Sequence, residues 1–390
     1  MKEPEWIEKT LAALRADDLE RALRTSPGVG GVIEHGGRRI LNFASNDYLD
    51  LARHPEVRAA AQQALQEYGA GAGASRLVTG NLPLHEELEA ALAQHKRRPT
   101  SLLFGSGYLA NAGIVTACVG RGDTVFADRL VHASLIDAIL LSRATLRRFR
   151  HNDAAHLREC LSKHRGGGRL LVVTESVFSM DGDLAPLREI VACAQEKQAM
   201  MLIDEAHASG VFGPGGAGRV VEENLQDEIH FCMGTLSKAY GSYGGFVACS
   251  PKMRKFLINR ARSLIYTTAL PPPVVGAVLG ALRVLQSDPE RGARLLHRAE
   301  QFRDRLRGVG LNVLNSASQI IPILVGENRK ALDLAERLRR DDIVAVAIRP
   351  PTVPAGTARI RFSLTAAHDE SDLDRAFEHL VRASRELGLL

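Results

Sequence analysis

Three apolar runs, each ending in a polar turn, restrict what this chain can fold into. Residues 170–174 lead into Glu175-Ser-Val-Phe-Ser179, and residues 200–203 into Asp204-Glu-Ala-His207. Residues 229–233, broken only by His230, lead into Gly234-Thr-Leu-Ser-Lys238. Short runs of this kind read as strands buried on both faces, the pattern of a parallel sheet covered by helices. Open α/β sheets bind ligands beyond the carboxyl ends of their strands. Three consecutive strand ends therefore present Ser179, Asp204 with His207, and Lys238. Gly241, Gly244 and Gly245 follow the lysine and permit a tight turn into a further strand over residues 245–249.

Taken alone, Lys238 reads as a solvated loop lysine. Its neighbours argue for chemistry. A partly desolvated lysine loses basicity and becomes an amine nucleophile. Lysine, carboxylate and imidazole together suit pyridoxal 5′-phosphate, whose aldehyde takes an amine and whose pyridine nitrogen needs an acid to stay protonated. At Ser101-Leu-Leu-Phe104 followed by Gly105-Ser-Gly-Tyr108, a strand meets a helix through glycine, a junction whose free amides favour a phosphate.

The chain resembles the α-oxoamine synthases of the fold-type I pyridoxal-phosphate enzymes. The matching motifs are Asn42-Phe-Ala-Ser-Asn-Asp-Tyr-Leu49, Gly71-Ala-Gly-Ala-Ser-Arg-Leu-Val-Thr-Gly80, Phe178-Ser-Met-Asp-Gly182, Asp204-Glu-Ala-His207, Gly234-Thr-Leu-Ser-Lys238 and residues 347–359. The resemblance implies an α/β fold like that of aspartate aminotransferase: a mostly parallel sheet domain with a smaller C-terminal α/β domain. The division expected is an N-terminal helix and short strands over 1–45, a large cofactor domain over 46–287 and a small domain over 288–390. A helix is expected over 6–24, single strands over 320–325, 344–348 and 358–364, and a helix over 369–387. His85, at the start of another helix, reads equally as facing the site or as exposed.

Site roles follow from the same resemblance. Lys238 is the catalytic amine and base, Asp204 the partner of the pyridine nitrogen, His207 the donor to the ring oxygen with Ser179 beside it, and His132 the residue stacked on the ring. Gly107, Tyr108 and Thr235 are expected on the phosphate, joined by Thr267 and Thr268 of the other subunit in a homodimer. Arg349 and Asn46 are assigned to the amino acid carboxylate, and Thr352, His132 and Arg21 to substrate contacts. The implied reaction joins L-alanine to a pimeloyl thioester, carried by coenzyme A or by an acyl carrier protein. A glycine-using member, such as a 2-amino-3-ketobutyrate CoA ligase, is the alternative within the family.

Composition narrows the rest. A chain of 390 residues that is 45% hydrophobic can bury a large core. The net charge of +5 is spread out, and its densest cluster, residues 143–150, reads as a solvated helix or strand edge rather than a docking surface for an acidic acyl carrier or a coenzyme A phosphate. Five cysteines without C-x-x-C spacing suggest core thiols, neither a disulfide framework nor a metal site. No apolar run reaches membrane-spanning length and the start is polar, so a cytoplasmic protein is expected. The tetrapeptide Asp204-Glu-Ala-His207 also occurs in nucleotide-driven helicases. Such a motor needs a G-x-x-x-x-G-K-[ST] loop, and Gly213-Pro-Gly-Gly-Ala-Gly-Arg-Val220 lacks its lysine and hydroxyl.

Overall fold

The structure is a computed structural model that describes residues 3–390. The chain forms two compact units. One gathers the N-terminal stretch to Ser45, Met180–Gly182 and Leu296–Leu390; the other holds Asn46–Ser179 and Asp183–Leu295.

In the first unit a helix runs over Glu5–Ala16, shorter than the expected 6–24, because Asp18 turns to φ 55°. None of that helix is buried, so no apolar face rewards its extension. Strands β1 (Val32–His35) and β2 (Arg38–Asn42) form a hairpin through Gly36 and Gly37. Both glycines have positive φ, as a two-residue turn matched to strand twist requires.

The second unit holds β3 (Thr100–Phe104), β4 (Thr124–Asp128), β5 (Thr145–Phe149), β6 (Leu170–Glu175), β7 (Met200–Asp204), β8 (Phe231–Thr235) and β9 (Gly245–Cys249). They make one sheet in the order β3-β9-β8-β7-β6-β4-β5. β4 to β8 are mutually parallel, and β9 runs antiparallel to both neighbours. β7 and β8 are buried almost throughout, as their unbroken apolar character demands. β5 is an edge strand, and its exposed Arg147 and Arg148 are the basic cluster noted in the sequence. The helix Pro272–Ser287 packs on Pro55–Tyr68 so closely that a Cβ on Gly276 would lie 2.6 Å from the Ala60 carbonyl oxygen.

The first unit is completed by β10 (Ile320–Gly326), β11 (Ile343–Val344), β12 (Val346–Ile348) and β13 (Ala358–Ser363). The single strand expected over 344–348 is two pieces, because β11 pairs with β2 while β12 pairs with β13. That pairing, with Phe43 packed on Phe362 and His368, joins the N-terminal piece to the C-terminal residues in one unit. All five cysteines are free thiols, four of them buried. Among the described residues no helix is long and apolar enough to cross a membrane.

Candidate active site

The carboxyl ends of β3, β4, β6, β7 and β8 all lie on one side of the second unit's sheet, and each contributes to one cluster. Lys238, three residues past β8 and half-buried, has Nζ 2.8 Å from His207 Nε2. The other nitrogen of that ring, Nδ1, lies 2.7 Å from the hydroxyl of Tyr48, which itself donates to Asn46 Oδ1 at 3.1 Å. A hydroxyl that donates to Asn46 must accept from His207 Nδ1–H. That leaves Nε2 as the acceptor for the Lys238 amine. The tautomer of His207 is thus set from behind by a fully buried tyrosine.

A second chain of hydrogen bonds fixes the carboxylate. Asp204 is 4% exposed; Oδ2 accepts from Asn111 Nδ2 at 2.8 Å, and Oδ1 from the Ala206 amide at 2.9 Å. The second hydrogen of the Asn111 amide reaches Ser134 Oγ at 2.9 Å, and that hydroxyl lies 2.9 Å from His132 Nδ1. His132 also caps the helix Ala133–Ser142, accepting from the Ser134 amide. Burial against the cluster lowers the His132 pKa, Asp204 pulls it up, and the Lys238 charge lowers it again, leaving it below the usual value.

Glu175 stands opposite Asp204 in the β6–β7 register and accepts from the His132 amide at 2.5 Å. Burial, then the charge of Asp204, pushes its pKa well above the ordinary range. Two adjacent buried carboxyls cannot both ionise cheaply, which is why the Glu175 pKa rises.

The remaining side of the cluster is an anion cup. The helix Gly107–Cys118 begins at Ser106, whose Oγ accepts from the Leu109 amide at 3.1 Å. Its first-turn amides, at Gly107 and Tyr108, have no partner within the helix. Thr235 stands against them: a Cβ on Gly107 would lie 3.4 Å from Thr235 Cβ. Gly245 comes closer still, since a Cβ there would lie 2.6 Å from the Gly107 nitrogen. Free amides and a helix dipole without side chains in the way make a phosphate seat; the Thr235 hydroxyl beside them donates to the Gly244 carbonyl at 3.0 Å.

The structure brings together Lys238, His207, Asp204, His132, Asn46, Gly107, Tyr108 and Thr235. Ser179 is half-buried in the turn after β6. Thr267 is half-buried and Thr268 exposed in the irregular stretch before Pro272. Arg21, Arg349 and Thr352 belong to the other unit. There Arg349 donates to the backbone carbonyls of Asp18 and Glu20, Arg21 donates to the Pro350 carbonyl at 3.4 Å, and Thr352 is exposed. His85 is not exposed at a helix start. It is fully buried, with Nε2 on the Leu270 carbonyl at 2.9 Å and Nδ1 accepting from the Leu82 amide. Tyr48, Asn111 and Glu175 were not assigned from the sequence. An amide inside the apolar run 109–119 was the available signal, because a buried amide needs partners.

The sequence model of the family described as aminotransferase class I and II matches residues 38–380. The 8-amino-7-oxononanoate synthase of Geobacter sulfurreducens is 47% identical over 384 residues, covering 97% of this chain and 98% of that protein. Among solved structures, a serine palmitoyltransferase from S. paucimobilis with bound PLP–myriocin superposes with a TM-score of 0.93 at 30% identity, covering 99% of this chain and 98% of that one. The 8-amino-7-oxononanoate synthase of Francisella tularensis gives a TM-score of 0.78 at 28% identity, covering 89% and 98%.

Proposed function

The chain belongs to the class I and II aminotransferase family, and within it to the α-oxoamine synthases; on that premise we propose that it condenses L-alanine with a pimeloyl thioester. A bond forms between the alanine α-carbon and the thioester carbonyl carbon. The thiol of coenzyme A or an acyl carrier protein leaves, and the alanine carboxylate departs as carbon dioxide. The product is 8-amino-7-oxononanoate, an intermediate toward biotin. The observation that carries this reading is the Lys238–His207–Tyr48 line beside a carboxylate buried at Asp204.

The residues fit pyridoxal 5′-phosphate. Gly107 and Gly245 leave the space that side chains would fill, and the buried Asn111 Oδ1 has no hydrogen-bond partner among the described residues. When bound, the cofactor supplies an aldehyde for amines and a protonated ring that draws electrons from the substrate α-carbon. Asp204, oriented by Asn111, would hold the proton on the pyridine nitrogen. His132 would cover one face of the ring and Ser179 would stand on the side of the ring oxygen; His207, whose Nε2 accepts from Lys238 here, would donate to that oxygen only as the imidazolium. The amides of Gly107 and Tyr108 would hold the phosphate, joined by the Thr235 hydroxyl once it turns from the Gly244 carbonyl. The Lys238 amine would take the proton from the alanine α-carbon, and His207 Nε2, 2.8 Å from it, would steer that amine. Arg349, always charged and held here on the carbonyls of Asp18 and Glu20, suits a two-bond grip on the alanine carboxylate, the role also given to Asn46. Arg21 and Thr352 would contact the acyl substrate.

Thiol release with alanine, glycine and serine against pimeloyl, acetyl and palmitoyl thioesters tests the substrate assignment. Alanine with the pimeloyl thioester should win, a fitted methyl pocket giving about 10–200-fold over glycine. Glycine with acetyl, or serine with palmitoyl, turning over faster would refute it. Lys238→Ala should fold, yet lose turnover and the visible band that borohydride removes from the wild type. A reducible cofactor link at another lysine would move the assignment.

A further inference from the structure

His151, two residues beyond the edge strand β5, has no part in the reaction described above. Its Nδ1 lies 2.9 Å from Asp128 Oδ1 at the end of β4, and its Nε2 lies 2.7 Å from Asp183 Oδ2 after β6. Both ring nitrogens thus face carboxylate oxygens, and only the imidazolium can donate to both. The Asp128 side chain is wholly buried and that of Asp183 is 10% exposed. Asn152, held at φ 53°, completes the knot with its amide on Asp128 Oδ2 and its side chain on Asp183 Oδ2, each at 2.8 Å. Phe178 stands edge-on to the ring at 4.4 Å.

Each carboxylate is the root of a loop. Asp128 accepts from the Leu130 amide and opens the segment that ends at His132. The Asp183 carbonyl accepts from the Phe178 amide at 3.1 Å, and Val177 bridges Leu184, closing the turn that carries Ser179. We propose that His151 is a positioning residue: its cation, shared between Asp128 and Asp183, fixes the two loops that present His132 and Ser179 to the cofactor. This rests on the roles given above to those two residues.

Burial lowers the His151 pKa, but the bonds to Asp128 and Asp183 outweigh it and raise the pKa to about 10 from 6.5. The stability this charge contributes is therefore full below 6.5, declines as pH rises, and is lost beyond about 10. Other charges nearby are balanced. Arg150 pairs with Asp153, Asp181 pairs with Arg359, and burial, then Asp204, pushes the Glu175 pKa well above the ordinary range.

The test compares His151→Gln with the double variant His151→Gln/Asp183→Asn, reading kcat, KM, pyridoxal-phosphate affinity and melting temperature between about pH 6 and pH 9. The single variant leaves two buried carboxylates without a cation. It should lose roughly tenfold in kcat and cofactor affinity near pH 8 and recover toward pH 6, where one carboxyl takes a proton. The double variant removes one charge and should return to within about threefold of wild type without that pH slope. A single variant unaffected across the range, or a double variant no better folded or bound than the single, would overturn the proposal. If the wild type releases no thiol, the reaction is refuted, and cofactor affinity in the same variants still decides the role of His151.

Discussion

At Asp204 two donors hold a carboxylate that is almost out of water, so its charge is expensive unless it is used. Asp204→Asn should keep the fold and bind the cofactor, because the amide can still meet Asn111 and the phosphate cup is untouched. Turnover should fall by at least about 10³-fold, roughly 4 kcal/mol of barrier, since an amide cannot hold the pyridine proton. Single-turnover rates would check it, and a variant within a few-fold of wild type would place the acid elsewhere. Lys238, Asp204 and His207 were legible in the sequence because each follows an apolar run at a strand end. Tyr48 was not. It lies within a quoted motif, but nothing local says that a tyrosine near residue 50 will orient a histidine near residue 200. Glu175 was hidden for a different reason: a carboxyl whose pKa is raised by burial and then by a neighbouring carboxylate looks, in sequence, like any other.

Among the elements, the contact of β9 with the start of helix Gly107–Cys118 has the narrowest tolerance. Phe104 lies opposite Gly245 across β3–β9, and Thr235 opposite Gly245 across β8–β9, so one glycine sits between both walls of the phosphate cup. Gly245→Ala pushes a methyl to within 2.6 Å of the Gly107 nitrogen, backbone that cannot step aside. Cofactor affinity should weaken more than about tenfold while the alanine KM changes little. Absorbance titration of the cofactor-free protein would measure it, and unchanged affinity would show that the cup does not bind the phosphate. The strands of this sheet were readable from their apolar runs. The ends of the first unit's elements were not: helix 5–16 stops early because Asp18 turns to positive φ, and Arg349 takes the carbonyls beyond, a partner more than three hundred residues away in sequence. β11 and β12 look like one strand until their separate partners are known.

For the whole molecule, the exposed Thr268 and the 71% exposed Tyr266, lying under the Arg262 guanidinium, suit a segment completed by a second copy of the chain. Mixing Lys238→Ala with a Thr267→Ala/Thr268→Ala variant and letting subunits exchange should recover about a quarter of wild-type activity, one sound site in each hybrid. Sedimentation of a fully active monomer would rule it out. The joining of the N-terminal piece to residues 296–390 was beyond sequence reading, because pairing over such a separation leaves no local mark. The reversed strand has a further effect, on how the chain is made. β3 lies at the sheet's edge and, among the described residues, pairs only with β9, so Leu102, Leu103 and Phe104 leave the ribosome long before their partner is translated. At about 5–20 residues per second that wait lasts many seconds, with an apolar strand open to chaperones or to other nascent chains. Nascent chains arrested before Gly245 should therefore expose residues 100–104 to protease. Chains extended a tunnel's length beyond Cys249 should protect them, and equal protection in both would mean that β3 finds other cover first.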